Sequence, residues 1–313
     1  MIVIFSNSTD EHALTVAQKL KKNHNEDSLI LDLSKITKSY ANALYTNDIQ
    51  PEYWFEFAKN KSLNLNDVKA FWWRRPQPLK LLPQITKSSH QEFALSEWST
   101  ALNGIWESTD ALWVNDIGND SRAEHKPNQL KVAQEVGLLI PDTLITNNPS
   151  RAIEFSEKHN SDVIFKSFLA TEQEWRETRP LRQEFLKAID SVRFAPVIFQ
   201  QYVKDSHDLR ITIIGDRIFA AETEPSKKYE FDWRMAEISW KQHSLPSDVS
   251  NALLKMMRRM GLEYGAIDMK LTARNEYYFL EINTAGQFLF SEIEAHLPIS
   301  DALAAKLASG VKT

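Results

Sequence analysis

The stretch YGAIDMKLTARNEYYFLEINTAGQFLF, residues 264–290, decides how this chain is read, because it sets three oxygen ligands on two segments that can pair. Residues 266–271 and 277–282 are rich in β-branched and aromatic types and flank a polar connection at Arg274-Asn275, which is a hairpin pattern. Strand alternation puts Ala266, Asp268 and Lys270 on one face and Ile267, Met269 and Leu271 on the other. By the same rule Phe279, Glu281 and Asn283 oppose Tyr278, Leu280 and Ile282. A turn centred on Arg274-Asn275 pairs Asp268 with Glu281. Carboxylates facing each other with Cβ atoms roughly 5 Å apart repel, and a divalent cation would remove the conflict. Asp268, Glu281 and the Asn283 amide form an all-oxygen set, which suits Mg²⁺, an ion that keeps positions for water and substrate phosphates. The competing reading is a surface hairpin with solvated acids, since the D-x12-E-x-N spacing alone is a modest signal.

At 313 residues the chain is long enough for a sizeable core and two or three structural units. Its hydrophobic content of 42% and charged content of 25% are ordinary for a globular protein. A formal net charge of -5 argues against bulk nucleic-acid binding, though not against a local basic groove. With no cysteine, disulfides and thiol chemistry are excluded and a cytoplasmic location fits. No apolar run approaches a membrane span, and the first residues, MIVIFSNSTDEH, read as a core strand.

From the start, residues 2–5 read as a strand and residues 11–22 as a helix; residues 29–33 and 70–73 supply further strands. This alternation predicts an α/β fold with an open parallel sheet. Neither a dinucleotide fingerprint nor a P-loop occurs among the 8 glycines. Six of the nine tryptophans fall between Trp54 and Trp113 and read as core or interface residues. Arg74 and Arg75 read either as two guanidiniums that grip carboxylate or phosphate, or as a solvated or salt-bridged strand end. The polar residues 116–124 mark the best boundary. Beyond it come a helix over 126–136, a strand over 143–145, a helix over 149–158 and a strand over 163–166. Lys126 and Lys166, each at an element end, read either as a pair that neutralises phosphate charge or, taken singly, as solvated lysines. Residues 171–193 are dense in charge and read as helices or a mobile flap. Residues 197–203 are strand-like, residues 209–221 form a hairpin about Gly215-Asp216, and residues 249–260 and 300–307 are helices. On the first arm of that hairpin Arg210, Thr212 and Ile214 share a face.

The ordered set Lys126, Lys166, FQQYV at 199–203, Asp208, Arg210, Asp268, Glu281 and Asn283 resembles the ATP-grasp superfamily. FWWRRP at 71–76, WVND at 113–116, PDTLIT at 141–146, FDWR at 231–234 and FLEINTAGQFLF at 279–290 resemble one branch of it, the microviridin-type (graspetide) peptide macrocyclases. The resemblance implies a pre-ATP-grasp domain over 1–117, a central domain over 118–198 and a carboxy-terminal domain over 199–313. ATP would lie between two antiparallel sheets. Lys126 and Lys166 would contact phosphates, Gln201, Tyr202 and Val203 the adenine, and Asp208 the ribose, with Asp268, Glu281 and Asn283 carrying Mg²⁺. The chain departs from the family pattern at Gln201, where a hinge glutamate is common, and at Thr284, where a proline is usual. It also has no glycine between Lys166 and Pro196.

The implied reaction is ATP-dependent ligation: a carboxylate is activated as an acyl phosphate, then attacked by a hydroxyl or amine. Arg210 and Arg234 would hold the developing charge. The implied partner is an acidic precursor peptide, met by a basic surface drawn from Arg74, Arg75, Arg182, Arg193 and Arg234. Two alternatives stay open: a glutamate-ligase-like enzyme modifying a protein or small molecule, and a non-catalytic nucleotide- or peptide-binding protein. The oligomeric state is open too, a homodimer included.

Overall fold

The computed structural model describes residues 1–57, 61–168, 178–223 and 239–312. Strands Ile2–Phe5 and Ala70–Trp73 are apolar runs buried on both faces, as the centre of a parallel sheet requires. The sheet is parallel in the order Ser28–Leu31, Ile2–Phe5, Ala70–Trp73, Leu112–Val114. Helix Glu11–His24 follows the first strand; the Asp10 side chain caps it by accepting from His12 N, and Asn25 ends it in the left-handed conformation. A small antiparallel sheet, Tyr40–Leu44, Glu52–Phe57 and Lys61–Asn64, fills a region that reads only as mixed and polar in sequence. It shares a core with Phe5, Phe71, Trp106 and Trp113; these two tryptophans and Trp72, which lies on the other side of the parallel sheet, are buried core residues as expected.

The second sheet is antiparallel, in the order Arg179–Pro180, Val163–Lys166, Val197–Gln201, Thr143–Thr146. One face packs on helix Pro149–Lys158 through Ala152, Val163, Leu181, Val192 and Phe199. Of the charged segment 171–193, the described part is the Arg179–Pro180 strand, helix Gln183–Leu186 and the 3₁₀ turn Ile189–Phe194. Residues 171–177 lie outside the described residues, as does FDWR at 231–234 with Arg234.

The third sheet runs Trp240–Gln242, Arg217–Thr223, Ser206–Ile214, Tyr264–Thr272, Tyr277–Asn283, all antiparallel. Helices Ile117–Glu124, Lys126–Glu135 and Ser247–Met260 cover one face through Ala123, Val132, Ala133, Leu253, Met256 and Met257. The polar segment expected as a boundary is therefore a helix on this sheet, capped by the Asp116 side chain, which accepts from Asn119 N at 2.9 Å. On the opposite face Phe219, Ala221, Tyr264 and Ala266 join one core with Ile2 and Trp72 of the first sheet, Val16 of helix Glu11–His24 and Leu303 of the last helix, Ile299–Ser309. Further along, the same face turns polar at Asp208, Lys270 and Asp268.

The hairpin that carries the acids pairs Asp268 with Glu281 as the alternation predicts, but by a different route. Thr272 N donates to Glu276 O, and Asn275 sits at φ 61°, so three residues rather than two make the turn. That turn alone would set Leu280 opposite Asp268. A bulge beside Met269 restores Glu281 to the position. The bulge also moves Phe279 onto the helix-covered face with Ile282, against the expectation that Phe279 shares a face with Glu281. Burying each of these two side chains contributes about 2 kcal/mol, which holds the irregular register in place.

Candidate active site

The polar face is built from cross-strand neighbours. Asp208 faces Lys270, Arg210 faces Asp268 and Asp268 faces Glu281. Lys270 Nζ lies 2.9 Å from Asp208 Oδ1, and Arg210 Nη1 lies 2.8 Å from Asp268 Oδ1. Glu281 Oε2 is 2.8 Å from Lys126 Nζ. The lysine is brought there by Gln129, three residues further along its helix, whose amide donates to Ile282 O and accepts from Ile282 N at 2.9 and 3.0 Å. The repulsion expected between Asp268 and Glu281 is thus relieved by one cation on each carboxylate. Burial still raises the Asp268 carboxyl above the usual range, Arg210 opposing and Glu281 adding to the effect. Asn283 is exposed at the end of the strand, and its Oδ1 accepts from Ala285 N at 3.1 Å, which leaves that oxygen a second lone pair.

This donor set fits Mg²⁺ and a nucleotide. Among the described residues no three His, Cys, Asp or Glu side chains are disposed to hold a metal ion, so no dedicated cage is offered. Two carboxylates and one amide suit an ion that completes its shell with phosphate oxygens and water, and Lys126 and Arg210 stand beside them.

On the second sheet the register separates two adjacent glutamines. Lys166 pairs with Ile198 and Ile164 with Gln200, so these four share a face, whereas Gln201 pairs with Val163 on the face that packs on the helix. Gln201 Oε1 lies 3.4 Å from Asp142 N. Gln200 is 1% exposed; its Nε2 donates to Thr143 Oγ1 at 2.9 Å, and its Oε1 is buried without a partner among the described residues. An orphaned buried acceptor is costly, and this one lies on the face of Lys166. Tyr202 N donates to Asp162 O, and Val203 O accepts from Ser206 Oγ.

Residues 1–121 match the MvdD pre-ATP grasp domain and residues 123–307 the RimK-like ATP-grasp domain. The chain belongs to the ATP-grasp family. No curated protein matches it. Among solved structures it is similar to the macrocyclase MdnC of Microcystis aeruginosa bound with precursor peptide MdnA, at 29% identity and TM-score 0.86, over 98% of this chain and 99% of that one. A RiPP-associated ATP-grasp ligase of Chryseobacterium gregarium, in complex with ADP and a leader and core peptide, is 26% identical with TM-score 0.87, over 99% and 97%. Macrocyclase MdnB of Microcystis aeruginosa is 28% identical with TM-score 0.82, over 98% of each chain.

In this ATP-grasp chain the structure brings Lys126, Asp208, Arg210, Asp268, Glu281 and Asn283 to one sheet, with Lys166 on the second. Sequence reasoning passed over Lys270, although its shared face with Asp268 was legible, and over Gln200. One expectation is corrected outright: Arg74 is 1% exposed and donates through Nη1 to Ala285 O and Gly286 O, so it is not free to grip a peptide. Arg75, Arg182 and Arg193 are exposed. Thr284 is buried, and its side chain opposes the upward shift of the Asp120 carboxyl. Among the described residues no helix is long and apolar enough to cross a membrane.

Proposed function

We propose that this chain is an ATP-dependent carboxylate ligase that closes side-chain ester or amide rings in an acidic, ribosomally made precursor peptide. The observation that carries this reading is the pairing of Asp268 with Glu281 on one strand pair, each carboxylate matched to its own cation, on a face that also holds Asn283. Likeness to peptide macrocyclases over nearly the whole chain supports the substrate class. The units proposed are 1–117, 118–198 and 199–313, in a cysteine-free chain suited to the cytoplasm.

Asp268, Glu281 and Asn283 would hold Mg²⁺, and Lys126 and Lys166 would compensate phosphate charge. Bound Mg²⁺·ATP supplies phosphoryl activation of the peptide carboxylate, as an acyl phosphate. Gln200 Oε1, rather than the Gln201 side chain, would accept from the base, while Gln201, Tyr202 and Val203 line the hinge with backbone. Asp208, oriented by Lys270, would take the ribose. Arg210 holds Asp268 in place and opposes the upward push of burial on its carboxyl, and its guanidinium edge stands where negative charge develops. Arg234 is assigned to the same charge on sequence grounds.

The test is mass spectrometry of an acidic precursor peptide incubated with the protein, ATP and Mg²⁺. Loss of one water mass per ring with ADP release is the expected result. Addition of free amino acids to a protein or small molecule would shift the assignment to a glutamate-ligase-like enzyme, and nucleotide affinity without turnover would make the chain a binding protein.

A further inference from the structure

The loop that leaves the acidic hairpin, residues 284–289, has no strand partner among the described residues, yet its backbone groups are taken up by side chains from three directions. Arg74 Nη1 donates to Ala285 O and, at 2.9 Å, to Gly286 O. Tyr264 OH donates to Gly286 O at 2.8 Å, and Arg210 Nη2 donates to Gln287 O at 2.7 Å. His12 Nε2 accepts from Phe288 N at 3.1 Å and from Leu289 N at 3.3 Å. Arg74 and His12 come from the first sheet and its helix. They share Asp10, whose Oδ2 lies 3.4 Å from Arg74 Nε and whose Oδ1 lies 3.5 Å from His12 Nδ1. Asp10 is itself fixed by donors from Ser6 Oγ at 2.7 Å and His12 N at 3.0 Å.

We propose that Arg74 is a positioning residue for the Mg²⁺ site, acting on Asp268 and Asn283 through the 284–289 loop. This rests on the assignment of Asp268, Glu281 and Asn283 given above. Arg210 is the link. One arm of its guanidinium holds Gln287 O and the other holds Asp268 Oδ1, so a displaced loop pulls the partner of Asp268 with it. The loop has little freedom to absorb a shift on its own: a Cβ on Gly286 would lie 2.3 Å from Ala266 Cβ and 2.8 Å from Arg210 Nη2. Asn283 forms the start of the same turn, with Gly286 N donating to Asn283 O. The pre-ATP-grasp unit therefore reaches the metal site through FWWRRP, a motif that sequence reading tied to substrate class. A lysine at 74 keeps the charge but has no planar fork, so it cannot satisfy both carbonyls and Asp10 together.

The experiment compares the unsubstituted protein with Arg74→Lys and His12→Ala in three measurements. These are hydrogen exchange at the Phe288 and Leu289 amides without nucleotide, calorimetry of ADP binding with and without Mg²⁺, and the kcat and KM for peptide. Removing an outer partner of a metal site typically costs 10–100-fold in metal affinity or activity. We expect faster exchange confined to the loop, roughly tenfold weaker Mg²⁺·ADP binding, ADP binding without Mg²⁺ unchanged, and a fall in kcat with peptide KM unchanged. A rise in peptide KM with loop exchange and Mg²⁺·ADP binding unaltered would overturn the proposal and make Arg74 a peptide contact. Uniformly faster exchange throughout the protein would overturn it too, as a general loss of stability. If the unsubstituted protein shows no Mg²⁺ dependence, the site assignment falls and this inference with it. The exchange arm, which needs no nucleotide, would still report whether Arg74 holds the loop.

Discussion

Replacing Asp120 with asparagine should favour the folded state of this protein more at neutral pH than in acid. Asp120 sits on helix Ile117–Glu124 with only 6% of its surface exposed, against Asn115 and the Thr284 hydroxyl. Burial pushes its carboxyl up from 3.8 to about 6, the neighbouring acids Glu124 and Asp116 adding to the effect and the hydrogen bonds from Thr284 and Asn115 opposing it. The sign follows from proton linkage. Below about pH 4 Asp120 is protonated in folded and unfolded chains alike, so it contributes nothing. Between about pH 4 and pH 6 the unfolded chain loses the proton first, and stability falls as pH rises. Above that the cost is constant. A shift of about two units at 1.36 kcal/mol each gives about 3 kcal/mol, relieved in Asp120→Asn. The hydrogen bonds an asparagine makes or loses add an offset that does not depend on pH, so the slope is the measurement. Urea unfolding of both proteins at pH values from 4 to 7 should give a stability gap that opens by about pH 6 and then stays flat. A gap that is constant over the whole range would refute the buried-carboxylate argument.

The other expectations are read with simpler assays. Asp268→Asn and Glu281→Gln should abolish ADP release with peptide while thermal unfolding shows a folded protein, because each removes charge without changing volume; full turnover in either would refute the metal assignment. Gln200→Leu should weaken ATP binding about tenfold, the loss of one buried hydrogen bond to the base, whereas Gln201→Leu should change it little; the reverse order in calorimetry would return the role to Gln201. His12 must stay neutral to accept from Phe288 N and Leu289 N, and burial lowers its pKa, with Arg74 and Arg75 lowering it further and Asp10 opposing. Its contribution to stability is complete above about pH 6.5 and is lost as pH falls below that value, so His12→Gln should flatten this part of the stability profile measured by urea unfolding.

Much of the site was legible in the chain itself, because a strand period of two needs no tertiary information. It put Asp268 and Lys270 on one face and let the spacing to Glu281 define a pair; the alternation of short apolar runs with helical segments likewise gave the parallel sheet of the first unit. Three things were decided only by folding. The bulge beside Met269 changed which residues accompany Glu281, since a local pattern fixes alternation but not where a ladder slips to bury both Phe279 and Ile282. Gln200 and Gln201 are adjacent and chemically identical, and only the register against Val163 and Ile164 turned one toward the face of Lys166 and the other toward the helix. Arg74 reads from sequence as a solvent-facing grip at a strand end. It is buried because the loop after Asn283, more than two hundred residues away, brings its carbonyls there, and the partners of a buried charge are chosen by tertiary packing rather than by neighbours in the chain.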